Sequence, residues 1–226
     1  MNHEITASTI RHVYGMGASR YEQVMAEYWE FDRRKLIGEL ALESSQHVLE
    51  VGVGTGRNLA YYPEDARVTG IDFTPEMLAM AQEKRDALDH NEIELREMDA
   101  ASMTFGNDSF DAALESFVLC VAPDPELVLS EVVRVTKPGA RIAVFDYCRS
   151  REAMTRKWQE LIAETARTVG FPAGVIVWDP LRDYEEIIEE AGLPLCVERM
   201  ERHENTNPFL LACSMLLINA KDTDCI

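Results

Sequence analysis

The chain's 226 residues carry a formal charge of −18, from 40 acidic and 22 basic residues. A field of that sign repels nucleic-acid phosphates, and the tight basic group Arg33-Arg34-Lys35 reads as a solvated helix face, so no nucleic-acid partner is expected. Hydrophobic residues make up 46% of the chain, which excludes a disordered polymer and suits one domain with a sizeable core and at most a small appendage.

In chain order, residues 1 to 16 are mixed. Residues 19 to 43 are helix-compatible, and the apolar positions Tyr21, Val24, Met25, Tyr28, Trp29, Leu36 and Leu40 fit two helices with a bend near Phe31-Asp32. Ser44-Ser45-Gln46 breaks the pattern. His47 to Val51 predicts a first strand, followed by Gly52, Gly54 and Gly56 and a short helix from Arg57 to Tyr62-Pro63. Arg67 to Ile71 predicts a second strand closed by Asp72. Thr74 and Pro75 cap and open a helix that runs to about Asp86.

Ile93 to Arg96 and Phe110 to Leu114 predict the third and fourth strands, with turn chemistry at Gly106-Asn107-Asp108 between them. Pro125 to Val135 returns to helical spacing and is terminated by Lys137-Pro138-Gly139, before a fifth strand from Ala140 to Phe145. A helix from Glu152 to Val169, a loop from Gly170 to Gly174 and a helix from Pro180 or Leu181 to Ala191 follow. The last strands are Leu195 to Met200 and Phe209 to Ile218. Strands alternating with helices imply a mostly parallel sheet covered on both faces. The final two strands lack a helix between them and imply an antiparallel hairpin at one edge.

The longest apolar run, Phe209 to Ile218, is far short of the roughly 20 residues that cross a bilayer, and the start MNHEITASTIRH lacks the apolar core of a signal peptide. A cytoplasmic location is the expectation. Cys120, Cys148, Cys196, Cys213 and Cys225 show no C-x-x-C spacing, and His3, His12, His47, His90 and His203 are scattered. Neither a metal site nor a disulfide scaffold is expected, and most of the cysteines read as reduced and buried.

The run Val-Leu-Glu-Val-Gly-Val-Gly-Thr-Gly at 48 to 56 is a strand feeding a glycine turn, a recurring seat for a nucleotide-like ligand. Glu50 places a carboxylate where a doubly covered strand is normally apolar, so it serves loop amides or a cationic ligand group. Asp72 lies 20 residues past Gly52 and can accept both hydroxyls of a ribose. Phe73 and Met77 can flank an adenine ring, with core packing the alternative for Met77, and Asp99 can accept from the ring's amino group or serve as an ordinary cap. Glu115 and Ser116 face the same crevice, with Phe117 to Val121 as an apolar wall. The third glycine comes one residue early for a dinucleotide fingerprint, no second mononucleotide half follows, and no G-K-[ST] ending is present. That spacing suits S-adenosylmethionine, which has no phosphate.

The chain resembles class I S-adenosylmethionine-dependent methyltransferases. The matching stretches are VLEVGVGTGRN at 48 to 58, VTGIDFTPEML at 68 to 78, LREMDAASM at 95 to 103, DSFDAALESFVLC at 108 to 120 and VLSEVVRVTKPGARIAVFD at 128 to 146. Tyr14, Tyr21, TGIDFTPEML and FVLCVAPDP resemble in particular phospholipid N-methyltransferases and quinone C-methyltransferases. The resemblance implies a Rossmann-like α/β fold with a seven-stranded, mostly parallel sheet whose final strand is antiparallel. It implies that Glu50, Gly52, Gly54 and Gly56 surround the methionine part of the cofactor. Asp72 would hold the ribose, Asp99 and Ala100 the adenine, and Glu115 would lie near the methyl-donor end. Val53 departs from the small or polar residue common there.

The expected division is a helical lid at residues 1–43 and an S-adenosylmethionine-binding catalytic domain at 44–226, with a lid insertion at about 148–178. Met16, Tyr21, Tyr28, Trp29, Trp158, Phe171 and Trp178 supply its large apolar groups, with packing the expectation for Trp158, and Gly15, Gly17, Gly170 and Gly174 are hinge candidates. Tyr21 joins the cofactor set because its segment can cover the ligand. No catalytic base announces itself. His12, Tyr21 and Tyr147 can orient a substrate or simply fill the cap, and no N-P-P-Y or D-P-P-Y run follows the fourth strand. The expected chemistry is methyl transfer to a small molecule. The alternatives are a phospholipid amine or quinone head group, with peripheral membrane contact, or a non-catalytic cofactor-binding regulator. Oligomeric state is not legible.

Overall fold

The computed structural model describes residues 6–25, 30–88, 92–169, 179, 181–203 and 213–220. Two N-terminal helices, α1 (Ala7–Met25) and α2 (Glu30–Glu39), precede the α/β body. The body runs β1 (His47–Val51), β2 (Arg67–Asp72), α3 (Pro75–Asp86), β3 (Ile93–Glu97), β4 (Phe110–Ser116), α4 (Pro125–Val135), β5 (Thr136–Tyr147), α5 (Ala153–Val169), α6 (Tyr184–Ala191), β6 (Leu195–His203) and β7 (Cys213–Ala220).

The sheet order is β3-β2-β1-β4-β5-β7-β6. β1 pairs in parallel with both β2 and β4, β2 with β3, and β4 with β5. β7 then adds antiparallel to β5, and β6 antiparallel to β7. The mostly parallel α/β architecture expected from the alternation is present. The chain reverses its winding between β1 and β4, which opens a crevice beyond their carboxyl ends, where parallel sheets bind ligands.

Each face of the sheet carries its own core. On one, Leu49, Val51, Ile71, Ala113, Ile142 and Val144 pack with Val128, Leu129, Val132 and Val133 of α4 and with Tyr184 of α6. On the other, Val48, Val68, Ala112, Leu114, Ala143 and Phe145 pack with Leu36, Ile37 and Leu40 of α2. Alternate strand residues supply the two faces, as the two-residue period of a strand requires. Full burial of a leucine such as Leu36 contributes about 1.5–3 kcal/mol.

Local chemistry explains most boundaries. Asp124 caps α4 by accepting from the Leu127 N–H, and Asp183 caps α6 by accepting from Glu185 N–H. Gly192 closes α6 in the left-handed conformation at φ 58°. The cap at Asp183 starts α6 later than apolar spacing predicts. β5 begins at Thr136, directly after α4, and runs through Lys137-Pro138-Gly139, which the sequence pattern reads as a terminator. Thr136 donates its hydroxyl to the Val132 carbonyl at 2.9 Å, which lets helix pass to strand without a loop. The register between β4 and β5 shifts between Phe110 and Ala112, which absorbs this irregular start.

Other expectations are corrected. A single 3-10 turn, Leu59–Tyr61, replaces the short helix from Arg57. α1 begins at Ala7 and includes Gly15 and Gly17, and Phe31 and Asp32, where a bend is expected, lie inside α2. Gly15 is a close-approach position: a Cβ there would meet the Glu76 carboxylate at 2.8 Å. Cys196 is disulfide-bonded, against the expectation of reduced cysteines, whereas Cys120 and Cys148 are free and buried. Trp158 is 43% exposed, with Met154 at 63% and Leu161 at 52%, so this face of α5 does not serve as core. Tyr28, Trp29, Phe171, Trp178, Gly170 and Gly174 lie outside the described residues. No helix among the described residues is long and apolar enough to cross a membrane.

Candidate cofactor and acceptor site

β1 delivers Glu50 and then Gly52 to the crevice. Gly52 has φ +64°, and a Cβ there would lie 2.1 Å from the Val118 Cγ2 in the loop after β4. Only glycine lets those segments approach so closely. Gly56 serves another purpose, because a Cβ there would meet Ala81 Cα of α3 at 3.0 Å and Leu59 Cδ1 at 2.9 Å. It seats α3 and is not among the described residues lining the crevice.

Asp72 ends β2 and stabilises the glycine turn. Its Oδ2 accepts from the Gly54 N–H at 3.0 Å and its Oδ1 from the Thr74 N–H at 2.8 Å. Burial raises the carboxyl's pKa, and these backbone donors oppose the rise. The Thr74 hydroxyl and the Phe73 N–H act on the carboxyl in the same direction, and Asp72 lines the cleft. Asp99 is tied by its Oδ1 to the Ala101 N–H at 2.9 Å, which leaves its other oxygen uncommitted.

The crevice is a cleft of about 1020 Å³ including its open mouth. Gly52, Gly54, Asp72, Phe73, Met77, Asp99 and Ala100 line one end. Ser116, Phe117, Val118, Cys120, Tyr147, Tyr14 and Tyr21 line the other. Of the residues singled out from sequence, Glu50, Gly56 and Glu115 are not among the described lining residues. Tyr147 lines the cleft, whereas His12 is exposed on α1 and does not. No described residue of α5 lines it either.

Glu115 belongs to β4 rather than to the loop after it. Its Oε1 accepts from the Val118 and Leu119 N–H groups at 2.5 and 3.0 Å. Asp146 takes the Cys120 and Tyr147 N–H groups at 2.9 and 2.7 Å. Burial, reinforced by neighbouring Asp146, pushes the Glu115 pKa well up; burial raises that of Asp146 as well. The pair therefore staples the wall at 117–122 from behind. Phe117, at φ 61°, holds a left-handed conformation that a bulky residue rarely adopts, and its N–H bonds the Phe145 carbonyl at 3.0 Å.

Glu50 is buried, at 1% exposure, within a side-chain network. Asn58 Nδ2 donates to its Oε1 at 2.8 Å and to Ser116 Oγ at 3.2 Å, and Asn58 Oδ1 accepts from Arg33 Nη1 at 2.9 Å. Burial raises the Glu50 pKa to about 7, with Asn58, Tyr62 and Arg33 opposing it. Arg33 is 4% exposed, which corrects its reading as part of a solvated face. Helical phase carries the signal for this position: Arg33 lies three, four and seven residues before Leu36, Ile37 and Leu40, on the apolar stripe of α2.

α1 is bound to the glycine turn through Glu22. That carboxylate accepts from Thr55 Oγ1 at 2.5 Å and Lys84 Nζ at 2.6 Å, and it faces Arg57 at 3.5 Å. Burial works against the charged form, but these donors outweigh it and lower the pKa. An ion pair between Arg11 and Glu97 links α1 to the end of β3. Thus two helices remote in sequence from the crevice contribute Ile10, Tyr14 and Tyr21 to its lining and Arg33 to its buried network.

The donor set fits an S-adenosyl ligand on the structure's own evidence. Asp72 and Asp99 bring carboxylates to the lining of the cleft. Glu50 Oε2 is a buried acceptor without a hydrogen-bond partner behind the glycine turn.

Residues 49–144 match the family model described as a methyltransferase domain. Among curated relatives, the chain is 38% identical over 125 residues to phosphatidylethanolamine N-methyltransferase of Cereibacter sphaeroides, covering 55% of this chain and 62% of the relative. It is 36% identical over 120 residues to demethylmenaquinone methyltransferase of Thermus thermophilus, covering 51% and 53% respectively. The chain thus spans less than two thirds of either relative. Among solved structures, a methyltransferase of Aquifex aeolicus shares the fold with TM-score 0.66 and 22% identity, over 90% of this chain and 98% of that one. Phosphoethanolamine N-methyltransferase 2 of Haemonchus contortus, solved with phosphomonomethylethanolamine and S-adenosylhomocysteine, shares it with TM-score 0.70 and 15% identity, over 95% and 61%. Sheet order, glycine turn, strand-end acids and the methyltransferase-domain match over residues 49–144 all point the same way, to the fold and cofactor class of S-adenosylmethionine-dependent methyltransferases.

Proposed function

We propose that this protein transfers the methyl group of S-adenosylmethionine to a small-molecule acceptor. The observation that carries the reading is the continuity of one cleft, from the strand-end acids Asp72 and Asp99 to the aromatic wall of Tyr14, Tyr21, Phe117 and Tyr147. Bound S-adenosylmethionine supplies an activated sulfonium methyl for in-line attack. Asp72 accepts the ribose hydroxyls, and Asp99 the adenine amino group beside the Ala100 backbone. Phe73 and Met77 flank the ring. Gly52 and Gly54 admit the ligand to the main chain, and Glu50 faces its ammonium. Gly56 acts indirectly, by seating α3, and Glu115 by fixing the acceptor wall. The wall aligns the acceptor and excludes competing water.

The acceptor we favour is an amine. The charged residues among the described lining are Asp72, Asp99 and Asp124, all acidic. Tyrosine faces and a negative field suit a nitrogen that is cationic until it loses its proton. Burial raises the pKa of Tyr14, Tyr21 and Cys120, so none of them is a ready base at neutral pH. An amine needs no base beyond water once deprotonated. The relative named phosphatidylethanolamine N-methyltransferase fits this reading. The apolar lining of Ile10, Val118, Val121 and Val128 favours a second one, a quinone ring such as the demethylmenaquinone relatives' names describe. For a lipid acceptor, the protein works from the cytoplasmic side in peripheral contact with the membrane, with residues 1–43 as lid over the domain at 44–226.

Labelled S-adenosylmethionine offered with phosphatidylethanolamine vesicles, soluble amines and a quinol tests the assignment. Label in an amine product is expected. Label only in the quinol would replace the amine reading, and no transfer to any acceptor class would overturn both. Flotation with neutral and anionic vesicles tests the membrane contact; failure of every vesicle to retain the protein defeats it.

A further inference from the structure

We infer that Glu115 and Asp146 form a carboxylic acid–carboxylate pair that positions the wall at 117–122, and that withdrawal of the one proton they share releases it. The wall's part in acceptor binding rests on the function proposed above; the pair itself does not.

β4 and β5 run parallel with Glu115 opposite Val144. Ala113, Ile142 and Val144 belong to the core on the α4 and α6 side, so the two-residue period sends Glu115 and Asp146 to that same face. Both are buried, at 2% and 0% exposure. Glu115 Oε1 accepts from the Val118 and Leu119 N–H groups, and Asp146 accepts from those of Cys120 and Tyr147. A hydrogen bond also links the two carboxyls. Glu115 Oε2, which no N–H or O–H group among the described residues satisfies, is the oxygen left to make it. Two carboxyls bond only through a proton that one of them donates. Burial raises the pKa of both; Asp146 raises that of Glu115 further, whereas the bond from Glu115 opposes the rise at Asp146. The proton therefore sits on Glu115.

The groups facing the pair do not neutralise a second charge. Tyr14 of α1, Cys120 of the wall and Tyr184 of α6 are held protonated by burial, and Tyr147 meets Asp146 through its N–H. Arg182 is the cation of this cluster, and its Nη2 already donates to the Ala122 carbonyl at 2.6 Å. Ionising both acids would set two like charges side by side out of water, a cost relieved when one carboxyl withdraws. Its N–H partners then lose their acceptor. Among them are Val118 and Cys120, which line the cleft. They adjoin Phe117, whose left-handed conformation at φ 61° lasts only while its surroundings enforce it.

NMR of the whole chain, following backbone amides and side-chain carboxyls from about pH 5 to 10, tests the pair. The amides of Val118, Leu119 and Cys120 should shift together in one transition above the ordinary carboxylate range. Each pH unit beyond it should make the positioned wall about tenfold rarer. Glu115→Gln donates to Asp146 without titrating and should hold the low-pH spectrum throughout. Two ionised carboxylates at the lowest pH, or no common transition, overturns the inference in the wild type, so a poorly folding substitution leaves it testable. A transition that persists in folded Glu115→Gln also overturns it. With an amine acceptor, the wild-type KM should rise across the transition relative to that of Glu115→Gln, with kcat changing less; parallel KM profiles overturn the positioning role. The NMR transition in a protein that methylates no acceptor would instead defeat the proposed function and leave the pair standing.

Discussion

The two ends of the cleft are built on different principles. At the Asp72 end, contiguous stretches of chain do the work: the end of β2 and the turn after β3 each bring one carboxylate, Asp72 or Asp99, to the cleft. At the Tyr14 end, side chains converge from α1, α2, the loop after β4 and the end of β5. They are held by long-range contacts such as Glu22 to Thr55 and Lys84, and Arg33 to Asn58. The first end is rigid because the parallel strands behind it are buried on both faces. The second is as rigid as the few polar links that bind the N-terminal helices to it. The proposed methyl transfer needs both, one end to seat the cofactor and the other to choose an acceptor.

The largest effects are expected at the strand ends. Gly52→Ala forces a Cβ to 2.1 Å from the Val118 Cγ2 at φ +64°. Overpacking together with left-handed strain should cost about 4 kcal/mol and abolish S-adenosylhomocysteine binding, measured by denaturant unfolding and calorimetry. Glu50 comes next. Its pKa, raised by burial from 4.5 to about 7, means that the folded protein keeps a proton the unfolded chain gives up. Stability should therefore be full below about pH 4.5 and fall as pH rises to about 7, by about 3 kcal/mol at roughly 1.4 kcal/mol per pH unit. Glu115 and Asp146 act with the same sign. Glu50→Gln should flatten its share of that slope in unfolding curves taken from pH 4 to 8.

Asp72→Ala removes the acceptor of the Gly54 and Thr74 N–H groups and both ligand-facing oxygens. It should weaken S-adenosylhomocysteine binding by about 100-fold. The mildest change sharpens the contrast from the other side. Glu22→Gln should cost only about 1 kcal/mol, since its links are partly exposed. Amide exchange should rise in α1 and stay unchanged in β1 and β2. Equal exchange in both regions would show that the two ends move as one body.

The strand-end region is largely legible in the sequence. Glycine spacing, Asp72, Asp99 and the apolar strands are local patterns, and the sheet brings Gly52, Gly54, Asp72 and Asp99 to the lining of one cleft. Legibility declines wherever direction matters. Glu50, Gly56 and Glu115 lie in the right stretches, but their side chains serve a buried network, the α3 contact and the wall behind the cleft. Arg33 runs against its local context because three consecutive basic residues suggest solvent, while its helical phase puts it on the stripe shared with Leu36 and Leu40. Trp158 departs the other way, since a large ring suggests core, yet it sits on the outer face of α5.

By itself the sequence determined the alternation of strands and helices, the cofactor class and two of the acids that line the cleft, because period-two and period-3.6 patterns and turn chemistry act within a few residues. Tertiary structure alone decided which residues complete the cleft. Tyr14, Arg33, Asn58 and Tyr147 lie far apart along the chain, and only packing two helices across the ends of β1 and β4 brings them together.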